Sequence, residues 1–369
     1  MKPKKIAIVH DFLVRFGGAE QVVKAWAAEF EEADIFTLFY DEKMNEFFDP
    51  ERVKTSFLQR FYKYSKGKYT WMLPLMPWAI SSFKLDDYDL IISSSAAFSH
   101  GVKTSNSQQH ISYVHSPARW AWDWHDKFML ERKMHFLTKA LFKSVIRMFR
   151  KWDVKTSKNP TKILAVSNVI KERIKKYWNK ESEVVYPFAN DIFFEEVEAN
   201  LKQERRSYML VVSQLVPYKK VDLIIEACLK LGQELVIVGD GIEKQRLIDL
   251  AHGSPLVKFE GAKYGSELIK YFDEAAGFIF AGEDDFGITP VEAMARGLGV
   301  VAYNRGGATE TVVSGKTGVF FEEQTVDGIV EAIEKFKGIK FNEDDCKKKA
   351  KLFTRTRHIE QLHEIISAL

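Results

Sequence analysis

Two cysteines in 369 residues, Cys228 and Cys346, cannot build a disulfide framework, and neither sits at a metal-binding spacing. A reducing cytoplasm is the expected setting. Long apolar runs are missing as well. The longest, Trp71–Ile80, holds Pro74 and Pro77 within ten residues, too short and too broken to span a bilayer. The run Ile6–Val9 is too short for the apolar core of a signal peptide. Net charge is small: 54 Lys+Arg against 51 Asp+Glu leaves +3, which excludes a chain built wholly to bind polyanions. Charged residues at 28% and apolar ones at 46% exclude disorder and fibres. There is no internal repeat, no low-complexity tract and no G-x-G-x-x-G, so dinucleotide binding gains no support.

What is present is strand–helix alternation in a chain longer than one hydrophobic core usually serves. Strands are expected at Lys5–His10, Asp89–Ser95, Ile111–His115, Lys162–Ser167 and Glu183–Phe188, and then at Tyr208–Ser213, Glu234–Gly239, Val257–Gly261, Gly277–Ala281 and Val300–Tyr303. Several are continuous apolar runs, as in parallel strands buried on both faces. Helix patterns such as Val221–Leu231 and Ile242–His252 lie between them. The expectation is two doubly wound α/β domains, 1–195 and 196–354, followed by a helix pattern over 355–369. Ligands of open α/β sheets sit beyond the carboxyl ends of the strands, so two such domains face to face would enclose a cleft.

Chemistry is therefore sought on the loops after strands. His10 to Glu20 contains Gly17-Gly18 ahead of a helix pattern, where backbone N–H groups can meet an anion at the positive end of the helix dipole. A tight strand–helix turn uses glycine equally well. His115 ends a strand run before Pro117; it is either a satisfied turn residue or a hydrogen-bond donor to substrate, with Arg119, Trp120 and Trp122 lining a site or merely packing. In the second half, Gln214 to Lys220 opens a helix and puts Lys219 within reach of a phosphate at that helix start, and Gly239 lies in a second such turn. In the third, Glu283 to Ala295, Pro290 marks the first helical turn, and Asp284, Asp285 and Glu292 are more acids than a cap requires. Arg305-Gly306-Gly307 enters a fourth helix.

Together these residues resemble the retaining glycosyltransferases of family 4, which have the two-domain GT-B fold; the resemblance implies that the terminal helix 355–369 crosses back to the first domain. The resemblance covers essentially the whole chain and is densest in VSQLVPYKKVDLIIEA, VGDGIEKQRL, GEDDFGITPVEAMARG and VAYNRGGATETVVSGKTGVFF, with FGGAEQV and YVHSPARWAWD in the first half. Within the family it is most similar to mannosyltransferase-type enzymes of surface-polysaccharide assembly. The resemblance implies a nucleotide-sugar donor, GDP- or UDP-linked, bound mainly by the second domain, and an acceptor bound mainly by the first. It also implies that Glu292 holds the ribose and Lys219 the diphosphate. Gly287, Ile288 and Thr289, beside Phe286, would offer N–H groups, Gly17 and Gly18 form the glycine loop, and His115 lies near the transferred sugar. No cofactor or metal is expected, because cations and helix starts can offset the charge on the departing diphosphate.

Two positions depart from the family. Gln214 stands where an arginine is usual, removing a bidentate phosphate ligand for which Lys220 is the neighbouring candidate substitute, and Asp284 stands where the earlier glutamate of E-x7-E is usual. They leave open a degenerate, catalytically weak protein that binds nucleotide or sugar as a partner subunit. Another GT-B enzyme, such as a nucleotide-sugar epimerase, is not asked for by any residue.

The near-neutral total hides an asymmetry, +6 over residues 1–200 and −3 over 201–369. Residues 52–84 carry seven Lys/Arg, no acid and eight aromatics, Trp71 and Trp78 among them; residues 127–158 carry ten Lys/Arg against two acids. Such segments suit an anionic membrane surface, or are solvated basic faces over ordinary core helices. No nucleic-acid module is present. The expectation is a cytoplasmic enzyme, peripheral on the inner face of the cell membrane, moving a hexose such as mannose to a hydroxyl of a lipid-linked or polysaccharide acceptor by front-face attack.

Overall fold

The computed structural model describes residues 5–65, 67, 69–123, 136–195 and 207–369. Two compact units emerge: one runs to Tyr186 and includes Gln361–Leu369, and the other is Pro187–Glu360. The sequence-based boundary at 195/196 adjoins a stretch, 196–206, outside the described residues. The second division falls inside the helix Arg355–Ser367.

The first unit holds a seven-stranded parallel sheet. Its strands are β1 (Ile6–His10), β2 (Asp34–Thr37), β3 (Val53–Thr55), β4 (Leu90–Ser95), β5 (Gln109–Val114), β6 (Lys162–Ala165) and β7 (Glu183–Val184). Their order is β3-β2-β1-β4-β5-β6-β7, so β1 and β4 are central. Ile8 pairs with Ile35 on one side and Ile92 on the other, and all three are fully buried. This is why β1 reads as an unbroken apolar run. Each such buried side chain contributes about 1.5–3 kcal/mol relative to exposure. The helix Gly18–Glu29 turns Val22, Val23, Trp26 and Ala27 inward at helical spacing, and Trp26 meets Tyr113 of β5 edge-on at 5.4 Å.

The second unit holds a six-stranded parallel sheet of β8 (Met209–Val212), β9 (Leu235–Val238), β10 (Val257–Gly261), β11 (Gly277–Phe280), β12 (Val300–Tyr303) and β13 (Gly318–Phe321), ordered β10-β9-β8-β11-β12-β13. The helix Val221–Leu231 buries Ile224, Ile225 and Cys228 against this sheet and ends at Gly232 in the left-handed region. The helix expected at Ile242–His252 is shorter, Lys244–Leu250, with Ile242 exposed ahead of it. In both sheets the strand order reverses beside the first strand of the unit, and the loops there are the switch points where α/β folds bind ligands.

Helix Asn168–Trp178 shows how local the stability devices are. Ser167 caps it by accepting from the Ile170 N–H at 3.2 Å. Ser167→Ala is expected to cost about 1 kcal/mol, read as a lower denaturant midpoint at unchanged slope.

Candidate active site

The carboxyl edge of the second sheet gathers four loops. After β8, the turn Pro217–Lys219 leads through Lys220, held in the left-handed region (φ 56°), into the helix Val221–Leu231. Gln214 on this loop is exposed. After β9, Gly239 allows the next loop to pass directly over the first, since a Cβ there would stand 1.8 Å from the Ser213 carbonyl oxygen. The Leu215 N–H then donates to the Asp240 carbonyl at 2.9 Å. After β11, Gly287 adopts φ 81° as the N-cap of the helix Ile288–Ala295, and no side chain caps that helix. The N–H groups of Ile288 and Thr289 thus open a half-buried helix start suited to an anion. The loop after β12 closes on this one through Gly307 N–H, which donates to the Asp284 carbonyl at 2.9 Å.

Three side chains give this edge its electrostatics. The Lys219 ammonium is ion-paired with Asp284 and lies over the rings of Tyr218 and Phe280, at 5.4 and 5.6 Å. Glu292, one turn into the helix after Gly287, is only 9% exposed, and burial alone pushes its carboxyl up to about 7. Among the described residues nothing donates a hydrogen bond to that carboxyl. Phe286 turns inward against Phe353, leaving its backbone to the loop. The segments at this edge therefore carry a cation, an uncapped helix start and a buried carboxyl.

The carboxyl edge of the first sheet is organised around histidines. Gly17 is the extended N-cap of the helix Gly18–Glu29, with Gly18 its exposed first residue. Asp11, buried just past β1, accepts from the N–H groups of Ala96, Ala97, Phe98 and Ser99 at 2.6–3.0 Å and so fixes the loop after β4. His115, half-buried just past β5, bonds the Ser94 hydroxyl through Nε2 at 2.8 Å. His10 bonds the same hydroxyl through Nδ1 at 3.0 Å, and its Nε2 faces Glu20 at 3.3 Å. Burial pulls the His10 pKa down, but the hydrogen bond and charge of Glu20, with the charge of Asp11, more than offset this and raise it.

Arg119 and Trp120 start the short helix Arg119–Trp122, where Trp120 packs on Phe149 at 4.4 Å. Trp71 and Trp78 are 60% and 65% exposed. Trp78 rests on Phe57 at 4.6 Å, while Tyr62, Met72 and Met76 of the same stretch are buried. In the second basic stretch, 127–135 lie outside the described residues; along the helix Phe136–Thr156, Ile146 and Phe149 are buried and Leu141 and Met148 exposed.

Sequence reasoning assigned no role to His10, Asp11, Glu20 or Ser94. Their signal is the three consecutive serines closing β4, a polar ending on a buried strand that only hydrogen-bonding partners make tolerable.

Comparison with known proteins matches residues 16–191 to the model of Glycosyltransferase Family 4 and residues 193–353 to that of Glycosyl transferases group 1. A GDP-mannose-dependent alpha-mannosyltransferase of Mycobacterium tuberculosis is 33% identical over 128 residues, 33% of each chain. A GDP-mannose-dependent alpha-(1-6)-phosphatidylinositol monomannoside mannosyltransferase of the same organism is 33% identical over 154 residues, 37% of this chain and 40% of the relative. The chain thus matches a third to two fifths of the length of these relatives. Among solved structures, Anabaena HepE in complex with UDP and glucose superposes with a TM-score of 0.72 at 17% identity over 100% of both chains. Sucrose-phosphate synthase from Thermosynechococcus elongatus does so with a TM-score of 0.74 at 15% identity over 99% of both. At these identities the likeness concerns the fold.

Proposed function

The chain belongs to the family 4-like glycosyltransferases of GT-B fold, which use nucleotide sugars, and on that premise we propose that it moves mannose from GDP-mannose with retention of anomeric configuration. The observation that carries this reading is the convergence of Lys219, the uncapped helix start at Gly287 and buried Glu292 on one sheet edge. The leaving diphosphate gains negative charge as the glycosidic bond breaks. Lys219, Lys220 and the N–H groups of Ile288 and Thr289 offset that charge, while Glu292 accepts from the ribose hydroxyls. The acceptor hydroxyl attacks the face that the diphosphate leaves, and a phosphate oxygen takes its proton. GDP-linked mannose is favoured over a UDP-sugar by the GDP-mannose dependence of the two mycobacterial relatives. Radiolabelled GDP-mannose and UDP-glucose offered side by side test the choice; transfer only from the UDP-sugar would refute it.

The acceptor is assigned to the first unit, and a lipid-linked glycan or polysaccharide suits its surface. Phe57, Phe61, Tyr64, Trp71 and Trp78 stand exposed on a stretch without acids, a pattern that favours peripheral attachment to the inner, anionic face of the cell membrane. The double variant Trp71→Ala/Trp78→Ala is expected to bind phosphatidylglycerol vesicles about tenfold more weakly in sedimentation. Equal pelleting of the unaltered protein with phosphatidylcholine vesicles would remove the electrostatic part.

A second reading has a specific observation behind it. Gln214 replaces a usual arginine, and Lys219 is ion-paired with Asp284, which suits a protein that binds nucleotide without turnover. Calorimetry with GDP and UDP beside a turnover assay separates the two: binding without transfer or hydrolysis favours the second.

A further inference from the structure

Glu20, His10, Ser94 and His115 form one continuous chain of hydrogen bonds at the carboxyl edge of the first sheet. The direction of each bond follows from what each group can donate. His10 Nε2 faces a carboxylate oxygen of Glu20 at 3.3 Å, and His10 Nδ1 lies 3.2 Å from the Ser94 carbonyl oxygen. Both partners only accept, so they favour hydrogen on both ring nitrogens, the imidazolium form of His10. In that form the Ser94 hydroxyl oxygen, 3.0 Å from the same Nδ1, accepts from it. Its single proton is then directed to His115 Nε2 at 2.8 Å. A ring that accepts through Nε2 and is neutral bears its proton on Nδ1.

We propose that Ser94 is a positioning residue that passes the charge state of His10 to His115, holding the His115 ring neutral with its proton on Nδ1. This rests on the reading that His115 works beside the transferred sugar, where it fixes which ring nitrogen donates and which accepts. When His10 loses one proton to solvent, it keeps Nε2–H toward Glu20 and its Nδ1 becomes an acceptor. The Ser94 hydroxyl then turns to His10, and its oxygen accepts from His115, whose proton now resides on Nε2. The relay has two settings, and Glu20 selects between them.

Among the described residues, the charged groups around His10 are few. Asp11 follows it in the chain, with its carboxylate committed to four backbone N–H groups, and Glu20 faces it from the helix Gly18–Glu29. Lys24 of that helix lies instead over Phe16 and Phe47, at 5.9 and 5.3 Å. Beside it, β2 places Thr37, and β4 places only serines. Tyr69 feels the charges of Arg15 and Glu20. Both carboxylates favour the imidazolium, consistent with the raised His10 pKa.

The test is nitrogen NMR of the full chain labelled in histidine, with the His115 signals assigned by their loss in His115→Gln. At pH 7 the unaltered protein is expected to show a protonated Nδ1 and a bare Nε2 in His115, exchanging roles as His10 titrates. Glu20→Gln removes the anion while keeping the size, so the exchange of roles should occur at lower pH. In Ser94→Ala the His115 signals should no longer follow His10, while circular dichroism stays unchanged. A His115 proton on Nε2 at pH 7, or His115 signals identical in all three proteins, overturns the relay. Transfer is measured separately, and Ser94→Ala should lower kcat by up to about a hundredfold. If the tautomer responds and kcat does not, the relay stands and the placement of His115 at the sugar falls.

Discussion

Lys219→Ala is expected to lower kcat/KM for nucleotide-sugar turnover about a hundred- to a thousandfold, with most of the loss in kcat. The side chain is half-buried between the Tyr218 and Phe280 rings and Asp284, so its ammonium is already placed and partly stripped of water. A cation placed in this way stabilises charge that develops only as the bond to the diphosphate breaks. That is why the loss should fall on the chemical step and not on ground-state binding. Lys219→Arg keeps the charge but changes its shape, and should recover part of the rate. The cost in stability should be small. Removing Lys219 leaves Asp284 on a solvent-reachable edge, where an unpaired carboxylate is hydrated. A variant that melts like the parent yet keeps its rate would place the leaving-group stabilisation elsewhere.

Glu292→Gln carries the second large effect, and it has two signs. Binding should weaken about ten- to a hundredfold for GDP or UDP, because a charge-assisted hydrogen bond contributes about 1.5–3 kcal/mol. Stability should move the other way. Burial raises the folded carboxyl to about 7 from an ordinary value of 4.5, so between those values the folded chain binds more protons than the unfolded one. Stability then falls as pH rises through this window, and the buried charge is a liability above it. Glutamine carries no such charge, so at pH 8 the variant should be more stable than the parent by about 3 kcal/mol, and at pH 4 the two should be alike. Calorimetry at pH 6 and 8 completes the picture. Ribose hydroxyls prefer the carboxylate, so nucleotide binding to the parent should tighten across this range and that to the variant should not.

Much of this was legible in the chain because each piece is local. Lys219, Gly239, Gly287 and Glu292 lie on strand–turn–helix segments whose glycines, proline and charges announce a loop at a sheet edge, and the apolar runs of β1, β4, β8, β9, β11 and β12 announce the sheet. β2, β3 and β13 were not read. β3 is a three-residue edge strand with Lys54 and Thr55 exposed, and β2 carries a polar residue at each end, Asp34 and Thr37; the apolar run Val319–Phe321 of β13 is as legible as that of β11 and was passed over. The histidine relay was invisible for a different reason. His10, Ser94 and His115 meet only because β1, β4 and β5 are neighbours in the sheet, and strand order is not written in any one segment. The exposed tryptophans were singled out by composition, but composition did not distinguish outward-facing Trp71 and Trp78 from buried Tyr62 and Met72.

The central claim is that the loops around Lys219, Gly287 and Glu292 stabilise a departing nucleoside diphosphate while the sugar keeps its configuration. Proton NMR of the products from GDP-mannose, with water or octyl mannoside supplying the attacking hydroxyl, tests it most directly. The account predicts α-mannose as the first product from water and an α-linked disaccharide from octyl mannoside, both lost in Lys219→Ala. A β-anomer formed first, or turnover undiminished in that variant, would contradict it.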